Sequence, residues 1–232
     1  MPFHAGKFTY FHMPKTGGSW VAKVLQQTQP FCVSMGNGHG SVCAVQGVSF
    51  GTCRNPWDWY LSWWQHFRAL TPRKHDLLRY GLGSDGFKAV LWGATHPWSL
   101  PELPTDPSGI ASLDLTASAI RLLQAPGQGG LWTWMTRHIY GTPFQVDMLV
   151  DTAHLYEGVS EVLGVRCDPQ HFPVENSRAN RRQSAVPGDP RDLYDAEMLS
   201  WVQEADGPLA GILGYSQPFM PAQAVIIRRQ GA

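Results

Sequence analysis

The chain is poor in charge and has no excess of either sign. Among its 232 residues, 18 Lys and Arg balance 18 Asp and Glu, charged residues make up only 16%, and the formal net charge is zero. An average domain carries about 25% charged residues. With no global positive field, a long polyanion such as DNA has nothing to hold it, and any anion site must be local. Cysteine is also scarce. Cys32, Cys43, Cys53 and Cys167 form no C-x-x-C pair and no Cys/His spacing suited to zinc, so they read as reduced core thiols and no metal is expected. No window approaches the ~20 consecutive apolar residues that span a bilayer. The opening MPFHAGKFTYF lacks a charged leader followed by a long apolar stretch. A cytoplasmic protein without a membrane segment is the reading. Heptads, repeats and low-complexity tracts are missing as well.

What the chain does have is tryptophan, ten of them, and enough length for one compact domain over 1–232 with a sizeable core. Pro and Gly gather at 95–109 and 126–130, where they mark loops around a helical stretch.

Two strand-loop-helix units carry the chemistry. In the first, aromatic and β-branched residues from Lys7 to Met13 predict a buried strand, and Pro14, Gly17 and Gly18 end it in a tight loop. A helix follows in SWVAKVLQQTQP, where Trp20, Val21, Val24 and Leu25 share one face and Pro30 stops the run. MPKTGGSW therefore sits at a helix N-terminus, where free N–H groups and the helix dipole favour an anion and two glycines let the backbone approach it. Lys15 adds a cation, Thr16 and Ser19 two hydroxyls. Lys15 precedes the glycines, the reverse of the order in a nucleotide-triphosphate P-loop.

In the second unit a β-rich run from Val45 to Cys53 leads to Arg54. Asn55 is placed as a cap and Pro56 as the first residue of the helix WDWYLSWWQHFRAL. Asn55, Asp58 and Ser62 line one polar stripe, and Trp57, Tyr60, Leu61 and Trp64 form the apolar face. Two such corners in succession suit a parallel-sheet crevice.

P-K-T-G-G-S-W resembles the phosphosulfate-binding loop of the sulfotransferases that use 3′-phosphoadenosine 5′-phosphosulfate (PAPS). R-N-P-W-D-W-Y-L-S resembles their 3′-phosphate motif, and the order is the family's. The resemblance covers mainly the first third of the chain. It implies an α/β fold, three-layer α/β/α around a central parallel sheet and P-loop NTPase-like, with PAPS as co-substrate, 3′-phosphoadenosine 5′-phosphate (PAP) as product and no metal. It also implies roles. Lys15 would bond the oxygen bridging phosphate and sulfate, while Thr16, Gly17, Gly18 and Ser19 would donate to the 5′-phosphate. Trp20 would be either a platform for adenine or a core residue of its helix. Arg54 and Ser62 would hold the 3′-phosphate. Arg178, Arg181 and Arg182, in ENSRANRRQ, occupy the position of a basic loop that closes over that phosphate in the family.

Sulfuryl transfer needs a base for the acceptor's proton and stabilisation of charge on the departing phosphate oxygen. Lys15 suits the second role. His39, in GNGHGSV between the two motifs, is the candidate base, with His12 the runner-up. QVDMLVDTAHLYEGVSEVLGV predicts a strand, a turn and an amphipathic helix closed by Gly164, a scaffold unit. The segment from about 70 to 141 carries no assignable motif and is expected to build the pocket for a small-molecule or carbohydrate acceptor. Trp92, Trp98, Trp132 and Trp134 are available there for stacking. A P-loop kinase or NTPase and a non-catalytic nucleotide-binding module are the competing readings.

Overall fold

A computed structural model of the chain describes residues 2–30, 33–34, 47–68, 86–96, 128–141, 144–172 and 189–228. Strand β1 (Pro2–Ala5) turns at Gly6 and Lys7 into β2 (Phe8–Phe11), followed by helix α1 (Gly18–Thr28), β3 (Val33–Ser34), β4 (Val48–Cys53) and helix α2 (Pro56–Arg68). Helices α3 (Phe87–Thr95) and α4 (Leu131–Tyr140) precede β5 (Met148–Asp151), and α5 (Leu155–Leu163), α6 (Ala196–Ile212) and β6 (Ile226–Arg228) complete the chain. The sheet order is β3-β1-β2-β4-β5-β6.

The fold is α/β, but the sheet is mixed, which corrects the expectation of a central parallel sheet. Only β2, β4 and β5 run parallel to one another, while β1, β3 and β6 pair antiparallel. Two residues join β1 to β2, and a connection that short permits only an antiparallel pair, whereas the parallel neighbours are separated by helices long enough to cross over.

Two compact units emerge from the described residues. One takes the chain up to Asn55, from Thr136 to Arg181 and from Leu213 onward; the other takes Pro56–Met135 and Arg182–Ile212. The first unit contains the sheet. Phe8, Tyr10, Phe50 and Val150 pack there against Trp20, Val21, Val24 and Leu25 of α1 and against Val159 and Leu163 of α5. These α1 residues are the face the 3.6-residue spacing predicts, and α5 ends where Gly164 takes the left-handed conformation, also as predicted.

The second unit is helical. The predicted α2 face of Trp57, Tyr60, Leu61 and Trp64 is buried, and so are Trp59 and Trp63, whose rings stack at 5.9 Å. α2 is thus wrapped on more sides than an amphipathic stripe requires, because α3 and α6 both pack on it. Trp132 is also core, and Trp92 is exposed. No described helix is long and apolar enough to cross a membrane.

Candidate functional site

Strand β2 ends at Phe11, and the chain reaches α1 through Pro14, Lys15, Thr16 and Gly17. Lys15 has φ 66 and Gly17 has φ 80, so two of these four loop residues are left-handed. For glycine that is ordinary; for lysine it is uncommon and must be imposed by its surroundings. Gly17 is fixed a second way, since a Cβ there would lie 2.6 Å from Leu155 Cδ2 of α5. At Gly18 a Cβ would collide with the His12 ring, which stacks on Tyr10. The runner-up base is therefore packed against the glycine that opens α1.

The start of α1 has no side-chain cap. Its first backbone bonds run from Trp20 N and Val21 N to Gly17 O, which leaves the N–H groups of Gly18 and Ser19 at the open end. Ser19 is exposed, and Lys15 is half-buried. The loop thus sets two uncapped amides, with Lys15 and Ser19 beside them in the chain, at the C-terminal end of a parallel strand.

The neighbouring parallel strand β4 delivers Arg54 to the same edge. Arg54 Nη1 donates to Lys15 O at 3.4 Å, so the guanidinium braces the backbone of the left-handed lysine. Asn55 is buried and donates from Nδ2 to the carbonyls of Gln217 and Met220, both at 2.9 Å, which ties the β4 exit to the C-terminal segment. At the exit of β5, Asp151 is buried and spent on scaffold: Oδ2 accepts from Ala222 N at 2.7 Å, and Oδ1 accepts from Tyr215 OH at 3.0 Å. Tyr215 OH also contacts Cys53 Sγ, and burial pushes the Cys53 thiol up to about 12, which makes it inert. Cys167 is buried and free as well, as a core thiol should be; Cys32 and Cys43 lie outside the described residues.

Two expectations change. Trp20 is 5% exposed, its Nε1 donates to Phe172 O at 2.8 Å, and its ring meets Tyr156 edge-on at 5.0 Å. Of the two readings open for it, this packing is that of a core residue. Thr16 is fully buried, and its hydroxyl donates to Met13 O and meets Thr52 Oγ1, both at 2.7 Å. That hydroxyl holds the loop from beneath.

Ser62 is half-buried on α2, one helical turn beyond Asp58, which pairs with Arg191 at 3.6 Å within the helical unit. His39, Arg178, Arg181 and Arg182 lie outside the described residues, as do Trp98 and most of 70–141. Sequence reasoning missed Tyr10 and Thr52, which stand beneath the loop. The alternation of Phe8/Tyr10 and Phe50/Thr52 puts both pairs on one sheet face and was the available signal. No family model matches the chain, and comparison with curated proteins and with solved structures gives no match either.

Proposed function

We propose that this chain is a sulfotransferase that moves the sulfuryl group of PAPS to a hydroxyl or amine acceptor, on a P-loop-like sulfotransferase fold. The observation that carries the reading is the uncapped start of α1 behind a left-handed Lys15, braced by Arg54 from the adjacent parallel strand. An uncapped helix start of this kind, with a lysine and an arginine beside it in the chain, is suited to one phosphate or sulfate group.

PAPS supplies the group that is transferred. Gly18 and Ser19 N–H and the Ser19 hydroxyl would orient the 5′-phosphate. Lys15 would stabilise the negative charge on the phosphate oxygen as its bond to sulfur breaks. Arg54 and Ser62 would read the 3′-phosphate, with Ser62 assigned on its motif position. His39 would accept the proton of the attacking acceptor as the new bond to sulfur forms, and Arg178, Arg181 and Arg182 would add cations to the bound nucleotide. No metal is required, since Lys15 and the helix start supply the positive charge.

The measurement is the melting temperature in the presence of PAP, ADP and ATP, with and without Mg²⁺. PAP is expected to raise it without Mg²⁺, and ADP and ATP much less, because they lack the 3′-phosphate. Equal shifts with ATP would replace this reading by the NTPase alternative. Turnover of labelled PAPS over a panel of acceptors separates the enzyme from a module that only binds nucleotide.

A further inference from the structure

Beneath the loop runs a chain of three buried hydroxyls. Tyr10 OH lies 3.0 Å from Thr52 Oγ1, Thr52 Oγ1 lies 2.7 Å from Thr16 Oγ1, and Thr16 donates to Met13 O at 2.7 Å. All three side chains are fully buried. The direction follows from proton count: Thr16 spends its one proton on Met13 O, so it must accept from Thr52, and Thr52 must then accept from Tyr10. Burial pushes the Tyr10 phenol well above its ordinary value, which keeps it a donor. On the other side, Tyr140 OH donates to Thr52 O at 2.5 Å, so Thr52 is held at both backbone and side chain.

We infer that Thr52 is a positioning residue for the anion-binding loop, acting through this relay to hold Met13–Gly17 in the shape that presents Lys15 and the amides of Gly18 and Ser19. Two facts point to the loop and not merely to the core. Thr16 is flanked by the two left-handed residues Lys15 and Gly17, so its hydroxyl pins the centre of the strained turn. Arg54, two residues beyond Thr52, grips Lys15 O, so the end of one strand fastens the loop from below and from the side. A sparsely populated backbone conformation persists only where surroundings over-determine it. The inference concerns loop geometry, and only its affinity arm rests on the proposed PAPS reading.

Thr52→Val keeps the side-chain shape and removes the hydroxyl. In this variant the amides of Trp20 and Val21, which close the loop on Gly17 O, are expected to exchange with solvent about ten-fold faster than wild type while those of α5 keep their rates, the size of one lost hydrogen bond felt locally. PAP affinity should fall by a similar, roughly ten-fold, factor, and Thr52→Ser should restore both. Tyr10→Phe, which breaks the relay at its far end, gives the same pattern at smaller amplitude and stands in should Thr52→Val not fold. Ser160→Ala, which removes a part-buried hydroxyl of α5 bonded to Tyr156 O and Cys167 N, is the comparison: it should lower the melting temperature and leave loop exchange and affinity alone. Unchanged exchange at Trp20 and Val21 in Thr52→Val, or an equal rise throughout α5, overturns the inference. Wild-type protein that takes no PAP overturns the functional reading instead, and the exchange result still decides the role of Thr52.

Discussion

Lys15 holds a conformation that glycine would adopt at no steric cost, and holds it at the spot where a cation is most useful. Lys15→Gly therefore separates the two properties. It removes the strain and the charge together, so urea denaturation should show a gain of roughly 1 kcal/mol, while turnover of PAPS is lost. Lys15→Ala keeps the strain and should show the turnover loss without the gain. A destabilised glycine variant would mean that the backbone is unstrained there. Nothing in the local sequence announces this conformation, since lysine has no such preference and the bracing group, Arg54, lies far along the chain. Thr16 illustrates the same point. Its hydroxyl reads as a ligand donor until Thr52, 36 residues away, is seen to occupy it. Trp20 is the opposite case: the spacing that put it on an apolar face already contained its role in the core.

At the scale of elements, α1 and α4 start in opposite ways. α1 begins bare, whereas the start of α4 is closed by groups from elsewhere in the helical unit. Asp206 of α6 accepts from Gly130 N at 3.1 Å and Thr133 N at 3.0 Å, and Tyr60 OH accepts from Trp132 N at 3.1 Å while donating to Asp206 Oδ2 at 2.7 Å. Gly130 is needed because a Cβ would lie 2.6 Å from Tyr60 OH. Asp206→Ala strands these donors and should cost roughly 2–3 kcal/mol in chemical denaturation, more than Asp206→Asn, which keeps an acceptor. Burial raises the Asp206 carboxyl above its ordinary value, against the pull of its donors. A raised native value means the folded protein binds the proton more tightly than the unfolded chain. The associated stability is complete below the ordinary carboxylate value and is lost as pH climbs through the raised one. Wild type minus Asp206→Asn across that range should show this slope; its absence would mean that the donors outweigh burial. Helices α1, α2 and α5 were legible through their periodicity and their Gly and Pro borders, whereas α3, α4 and α6 were not singled out. The β1–β2 hairpin was not, because four-residue strands around a Gly-Lys turn carry too little alternation to distinguish from one longer run.

Among the described residues the sheet has very short edges. β3 has two residues and β6 three, and β6 also ties Arg228 to Glu161 of α5 at 2.9 Å. Short, charged edges discourage pairing between molecules. Removing residues 226–232 uncovers Met148, Leu149 and Val150 of β5, and light scattering should then report association at concentrations where the full chain is dispersed. A truncated chain that stays dispersed would show that β6 does not guard this edge. Zero net charge adds to the exposure, since little repulsion stands between copies.

The pairing of β4 with β5 has a consequence during synthesis. The hydroxyl relay is complete once Thr52 has left the ribosome, because its members span only 42 residues. The partner that covers β4 arrives much later, as Ser49 and its β5-side partner Asp147 are 98 residues apart. At about 5–20 residues per second, a nascent chain would carry the Tyr10–Thr52–Thr16 relay beside a β4 not yet covered by β5 for roughly 5–20 s, an interval in which an unpaired strand edge is open to misassembly.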